Sequence, residues 1–145
     1  MIWLVLSFGC ALSSPFEGPG FSDGEYTSDH EGPFVVAVTY ARQARGEGEA
    51  FADHVDAIEE QMQRSEGLVG YSLRGDLVGR DNWTMSIWES EEALLAFVTS
   101  DAHRDAIVEA DTVLEDSEFT HWVETDPGAM PPTWEQGLDY LESQP

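Results

Sequence analysis

The sequence contains no lysine and a single cysteine, Cys10. Without lysine there is no Schiff-base nucleophile and no P-loop lysine for a nucleotide phosphate. One cysteine cannot form an intrachain disulfide, so the fold carries no covalent staple. Positive charge is almost as scarce. The 6 basic residues, all arginine (Arg42, Arg45, Arg64, Arg74, Arg80 and Arg104), face 29 acids, for a formal net charge of −23. A phosphate backbone would be repelled, which excludes nucleic acid as a partner, and an anionic membrane surface is disfavoured for the same reason. H-E-x-x-H, C-x-x-C, G-x-S-x-G and phosphate-cradling glycine loops are all missing. What is present is an apolar fraction of 41% in 145 residues. That is too apolar for a disordered acidic chain and long enough for one ordinary domain.

Residues 1–10 form an apolar run that closes on Gly9-Cys10. It is far shorter than the roughly 20 residues a permanent membrane helix needs, and it fits the core of an export signal. It resembles a bacterial lipoprotein signal, in which Cys10 carries the lipid. The resemblance implies a protein held at the cell envelope through that lipid alone, or secreted if the lipid is absent. Residues 11–33 are rich in Ser, Gly, Pro and acids and read as a flexible acidic linker. The cluster Asp23, Glu25, Asp29, His30 and Glu31 lacks calcium-loop spacing, so no metal site is expected there.

Phe34–Ala41 reads as a strand that is apolar on both faces. Phe51, Val55, Ile58 and Met62 then recur at helical spacing. Leu68–Arg74 and Trp83–Trp88 read as strands around a turn rich in Gly and Asp. Ser90 caps a helix carrying Leu94, Phe97 and Val98, and Ser100-Asp101 opens a second helical piece. Phe119–Val123 is the last strand. The order β-α-β-β-α-β predicts an α+β, ferredoxin-like domain over 34–126, followed by a tail, 127–145, with a short amphipathic helix.

Alternation in the strands groups the polar and aromatic candidates. With the helices laid over Trp83, Met85 and Ile87, the other face carries Ser72, Arg74, Thr84, Ser86 and Trp88, joined by Thr120 and Trp122. Polar groups among aromatics suit a small-molecule pocket, and equally a wet interface between subunits. This face has no expected cover within the chain, so two sheets stacked face to face as a homodimer would hide it. With the faces exchanged, His121 takes the place of Trp122.

Several segments also resemble a known family in the right order. Gly67-Leu-Val-Gly-Tyr-Ser-Leu73, Trp83-Thr-Met-Ser-Ile-Trp-Glu-Ser-Glu-Glu-Ala-Leu-Leu-Ala-Phe97 and Ser100-Asp-Ala-His-Arg104 are similar to antibiotic biosynthesis monooxygenase (ABM) domains. The resemblance implies a dimeric α/β barrel. In some members an electron-rich aromatic substrate activates oxygen itself, with no metal, flavin or other cofactor. Haem-degrading members use an Asn, a Trp and a His, where this chain aligns Thr39, Phe97 and Ile107, which speaks against haem degradation. Within this reading His103 is the candidate base for a phenol proton. Arg74 or Arg104 would stabilise the anion, and Ser72, Thr84, Ser86, Trp88 and Trp122 would bind the aromatic compound. The competing expectation is a non-catalytic ligand-binding or assembly domain of an envelope lipoprotein.

Overall fold

The computed structural model describes residues 11–144, so the expected lipidation site, Cys10, lies outside the described residues. Along the chain run β1 (Ala11–Ser13), β2 (Phe21–Ser22), β3 (Glu25–Tyr26), β4 (Phe34–Gln43), α1 (Gly48–Arg64), β5 (Leu68–Asp76) and β6 (Asp81–Trp88). Then follow α2 (Glu91–Val98), α3 (Asp101–Val113), β7 (Leu114–Glu124), a 3-10 turn at Pro127–Ala129 and α4 (Trp134–Glu142). β4 to β7 make the ferredoxin-like core. The main sheet is antiparallel in the order β1-β5-β6-β4-β7, and β2 and β3 form a separate two-stranded ribbon. At the expected helix start, the Ser90 hydroxyl accepts from the Ala93 amide at 3.1 Å.

The segment expected to be a flexible linker is part of the fold. The Ser14, Glu17 and Gly20 amides donate to the carbonyls of Leu73, Tyr71 and Val69, and Phe16 is buried in the core. Linker composition misled here because turns built of Gly and Pro serve a chain that lies flat on a sheet as well as one that swings free. Gly70 shows how close this segment lies: a Cβ there would stand 2.3 Å from the Phe21 ring.

Register determines which residues share a face, since directly opposed residues in antiparallel strands point the same way. One face carries Val36, Val38, Met85, Ile87 and Trp122, and the chain itself covers it. Residues 16–26 lie over one half, with Phe16, Phe21, Tyr26 and Phe34 in sequential aromatic contact. α4 lies over the other half, where Tyr140 stacks on Trp122 at 4.0 Å and Leu141 is buried. A Cβ on Gly137 would come within 2.5 Å of Met85 Cε, so α4 approaches the sheet closely.

Two expectations are thereby corrected. The helices α1 to α3 do not cover Trp83, Met85 and Ile87; they lie over the opposite face, with Val35, Ala37, Tyr71 and Trp88. Alternation says which residues share a face, not which face the crossover helices take, and β4 is apolar on both. Nor is the second sheet face bare, because α4 and residues 16–26 occupy it.

Candidate functional site

Beneath α1, α2 and α3 the sheet is not tightly covered. Of the helix α1 stripe Phe51, Val55, Ile58 and Met62, only Met62 is buried. The helices stand off the sheet around a cleft of about 1420 Å³. This exceeds the roughly 300–1,000 Å³ typical of small-molecule sites, and leaves ample room for a bicyclic ring. A bridge between helices holds its roof together: His54 Nε2 lies 2.7 Å from Glu109 Oε2, linking α1 to α3.

The floor follows from the ladder. Tyr71, Ser86, Ala37 and His121 form one row across β5, β6, β4 and β7, and Leu73, Thr84, Thr39 and Phe119 form the next. All eight border the cleft. The Tyr71 hydroxyl donates to Glu59 Oε1 and accepts from Gln63 Nε2, both at 2.8 Å, and burial pushes its pKa up. Ala37 places only a methyl group between Ser86 and His121. At one end, Trp88 stacks on Phe97 with centroids 5.1 Å apart, and Phe97 meets the His103 ring edge-on at 5.6 Å.

His103 comes from the first turn of α3. Its Nδ1 is buried with no hydrogen-bond partner among the described residues. Burial holds its pKa below the ordinary histidine value. Burial favours the neutral form of the imidazole, the form that can accept a proton.

The expected site residues are divided between the two faces. His103, Thr84 and Ser86 line the cleft, whereas Trp88 is fully buried behind Phe97 and does not border it. Ser72 and Trp122 lie on the α4 face. Ser72 Oγ donates to the Ser14 carbonyl at 2.6 Å and accepts from Trp134 Nε1 at 3.0 Å, while Trp122 lies under Tyr140. Arg74 reaches the cleft rim along β5, but its guanidinium turns to that same α4 face, 5.9 Å from the centroids of Trp83 and of Trp134. There Nη1 donates to Ser13 Oγ. Arg104 is exposed on α3 and does not border the cleft. No hydrogen bond joins either arginine to His103 among the described residues.

His121 joins the floor, as the exchanged-face alternative required. Tyr71, Thr39 and the α1 stripe were not anticipated as site residues. The signal for Thr39 was available: a threonine facing the helices in an otherwise apolar strand. The α1 stripe carried none, because a helix lining a cleft and one sealing a core show the same periodicity.

Solved structures share this fold at low identity. The chain is similar to protein SO0527 of Shewanella oneidensis, with TM-score 0.58 and 15% identity over 63% of this chain and 91% of that one. It is similar to PA3566 of Pseudomonas aeruginosa, with TM-score 0.59 and 14% identity over 66% and 97%. For Rv0793 of Mycobacterium tuberculosis the values are 0.58 and 16% over 64% and 96%. No curated protein sequence matches. The model of the antibiotic biosynthesis monooxygenase family matches residues 34–109, from the start of β4 to α3. That span is more than half the chain and holds the helix-facing floor of β4 to β6 together with His103. The chain belongs to the antibiotic biosynthesis monooxygenase family.

Proposed function

We propose that this protein is a cofactor-independent monooxygenase acting on a small aromatic compound bound in the cleft between the sheet and α1 to α3. The observation that carries the reading is the unpartnered, half-buried His103 on the wall of an apolar cleft. A neutral imidazole there accepts the proton of a bound phenol. The resulting phenolate is electron-rich enough to reduce oxygen directly. Phe97 offers an aromatic surface beside the base, backed by the buried Trp88 stacked on it. The anion-stabilising role expected of Arg74 or Arg104 is not carried into this reading, because the Arg74 guanidinium at the cleft rim is engaged with Ser13, Trp83 and Trp134, and Arg104 does not border the cleft. Oxygen uptake with a panel of quinols and polyphenols tests the reading: His103→Ala should lower uptake about 10²- to 10⁴-fold, and equal rates in both proteins would remove His103 from the mechanism.

A second reading is a non-catalytic ligand-binding or assembly domain. It is favoured by the breadth of the cleft, which runs across the sheet from β5 to β7. Binding of the same compounds without oxygen uptake would select it.

Two further parts of the reading concern assembly and placement. A homodimer cannot stack two sheets on the face that α4 occupies. We therefore place its contact at the open edge of the main sheet, where β7 exposes Phe119 (49%) and Val123 (52%). A single-chain mass by sedimentation at micromolar concentration would refute it. We also propose that a lipid on Cys10 holds the protein at a bacterial cell envelope. Unchanged membrane partitioning of Cys10→Ser would refute that.

A further inference from the structure

Each face of the sheet carries one serine paired with one tryptophan, and the two pairs differ in what they leave unused. On the α4 face, Ser72 Oγ accepts from Trp134 Nε1 and spends its own hydrogen on the Ser14 carbonyl. On the cleft face, Ser86 Oγ accepts from Trp88 Nε1 at 2.9 Å, and its side chain makes no other hydrogen bond among the described residues. A hydroxyl has one hydrogen to give. In Ser72 it is committed to the backbone. In Ser86 it is free, and Ser86 borders the cleft.

The surroundings fix that donor and isolate it. Trp88 is fully buried and stacked on Phe97, so the N–H that occupies the Ser86 oxygen is held in place. In the same ladder row, the Tyr71 hydroxyl is taken up by Glu59 and Gln63, Ala37 has no polar side chain, and the exposed His121 stands one strand further away, beyond Ala37. Ser86 itself is 5% exposed and borders the cleft.

We propose that Ser86 is a specificity-determining residue of the cleft. It would donate a hydrogen bond to an acceptor oxygen, a ketone or quinone carbonyl, on an otherwise apolar ring system. Trp88 acts as its positioning residue. The inference deepens the reading of the cleft as a small-molecule site and rests on it. It is separate from the role given to His103, which accepts a proton where Ser86 donates one.

The test compares two bicyclic probes that differ in one oxygen, α-tetralone and tetralin, titrated calorimetrically into the full chain. The unaltered protein should bind the ketone several-fold more tightly than the hydrocarbon. Ser86→Ala should weaken the ketone about five- to tenfold and leave tetralin within about twofold, the range of one neutral hydrogen bond. Ser86→Thr keeps the hydroxyl and should restore ketone preference. Equal weakening of both probes in Ser86→Ala would make the serine a packing element and overturn the proposal. An unchanged ketone affinity would overturn it alone, leaving the cleft reading intact. Failure of both probes to bind the unaltered protein would overturn the two together.

Discussion

On the α4 face of the sheet Trp122 lies flat against Tyr140 at 4.0 Å, and an added Cβ on Gly137 would strike Met85. On the opposite face α1 buries only Met62 from a four-residue apolar stripe, and the space between is about 1420 Å³. Both faces are lined by Val, Trp, Tyr and Ser. The difference lies in what covers them. The α4 face is closed by segments outside the family-matched residues 34–109, while the floor of β4 to β6 and the roof from α1 to His103 fall within that match. One face therefore supplies stability and the other supplies room.

The largest way to break that comparison is Trp122→Ala. It empties a filled aromatic layer and should cost about 3–5 kcal/mol in thermal or urea unfolding. A loss below about 1 kcal/mol would mean α4 is a loose cover. Next comes His103→Ala, expected to lower oxygen uptake about 10²- to 10⁴-fold while leaving the fold in place. Its pH signature has a definite sign. Burial depresses the His103 pKa, so the unfolded chain binds the extra proton first. Stability from the neutral ring is complete above the ordinary value of about 6.5 and falls as pH drops below it. Uptake should decline on the same acid side, and His103→Ala should flatten both profiles.

Asp81→Asn probes the far end of the sheet. There the Asp81 carboxylate accepts from Arg42 at 2.7 and 2.9 Å and from the Tyr40 hydroxyl at 2.7 Å. The Arg42 hydrogen bonds draw the Asp81 pKa down to about 2. Its contribution is present above the ordinary carboxylate value and is lost as pH falls towards 2. With the Arg42 side chain 41% exposed, the substitution should cost about 1 kcal/mol at neutral pH. The smallest effect is expected for Val55→Ala on the cleft lining. It should cost under about 1 kcal/mol, because no closed packing surrounds it. A cost equal to that of Trp122→Ala would mean the cleft collapses in solution.

The core fold was legible because its signals were local. Ser90 caps α2, Trp83–Trp88 alternates, and the turn around Gly79 joins two strands. β7 starts earlier than the expected Phe119 because Glu115, Asp116 and Glu118 are exposed on a sheet edge, where acids conceal strand character. Residues 11–33 were illegible for a different reason. Residues 11–20 exchange hydrogen bonds with β5, a pairing between distant segments that composition does not report. The site was half legible. Thr84, Ser86 and His103 border the cleft, whereas Ser72 and Arg74, grouped with them by alternation, pair with Met85 and Trp83, and Trp122 pairs with Val36 on the α4 face. A one-residue irregularity in the β5–β6 register near Leu68 to Gly70 belongs to the same stretch.

The attachment of β1 to β5 bears on how the protein would sit at a membrane. Ala11 is already paired with Asp76, and Leu12 and Ser13 border the cleft. A lipid on the preceding cysteine would have no leash to swing on. Under the lipid proposal, the β1 edge of the sheet would therefore stand next to the attachment point instead of at the end of a flexible tether.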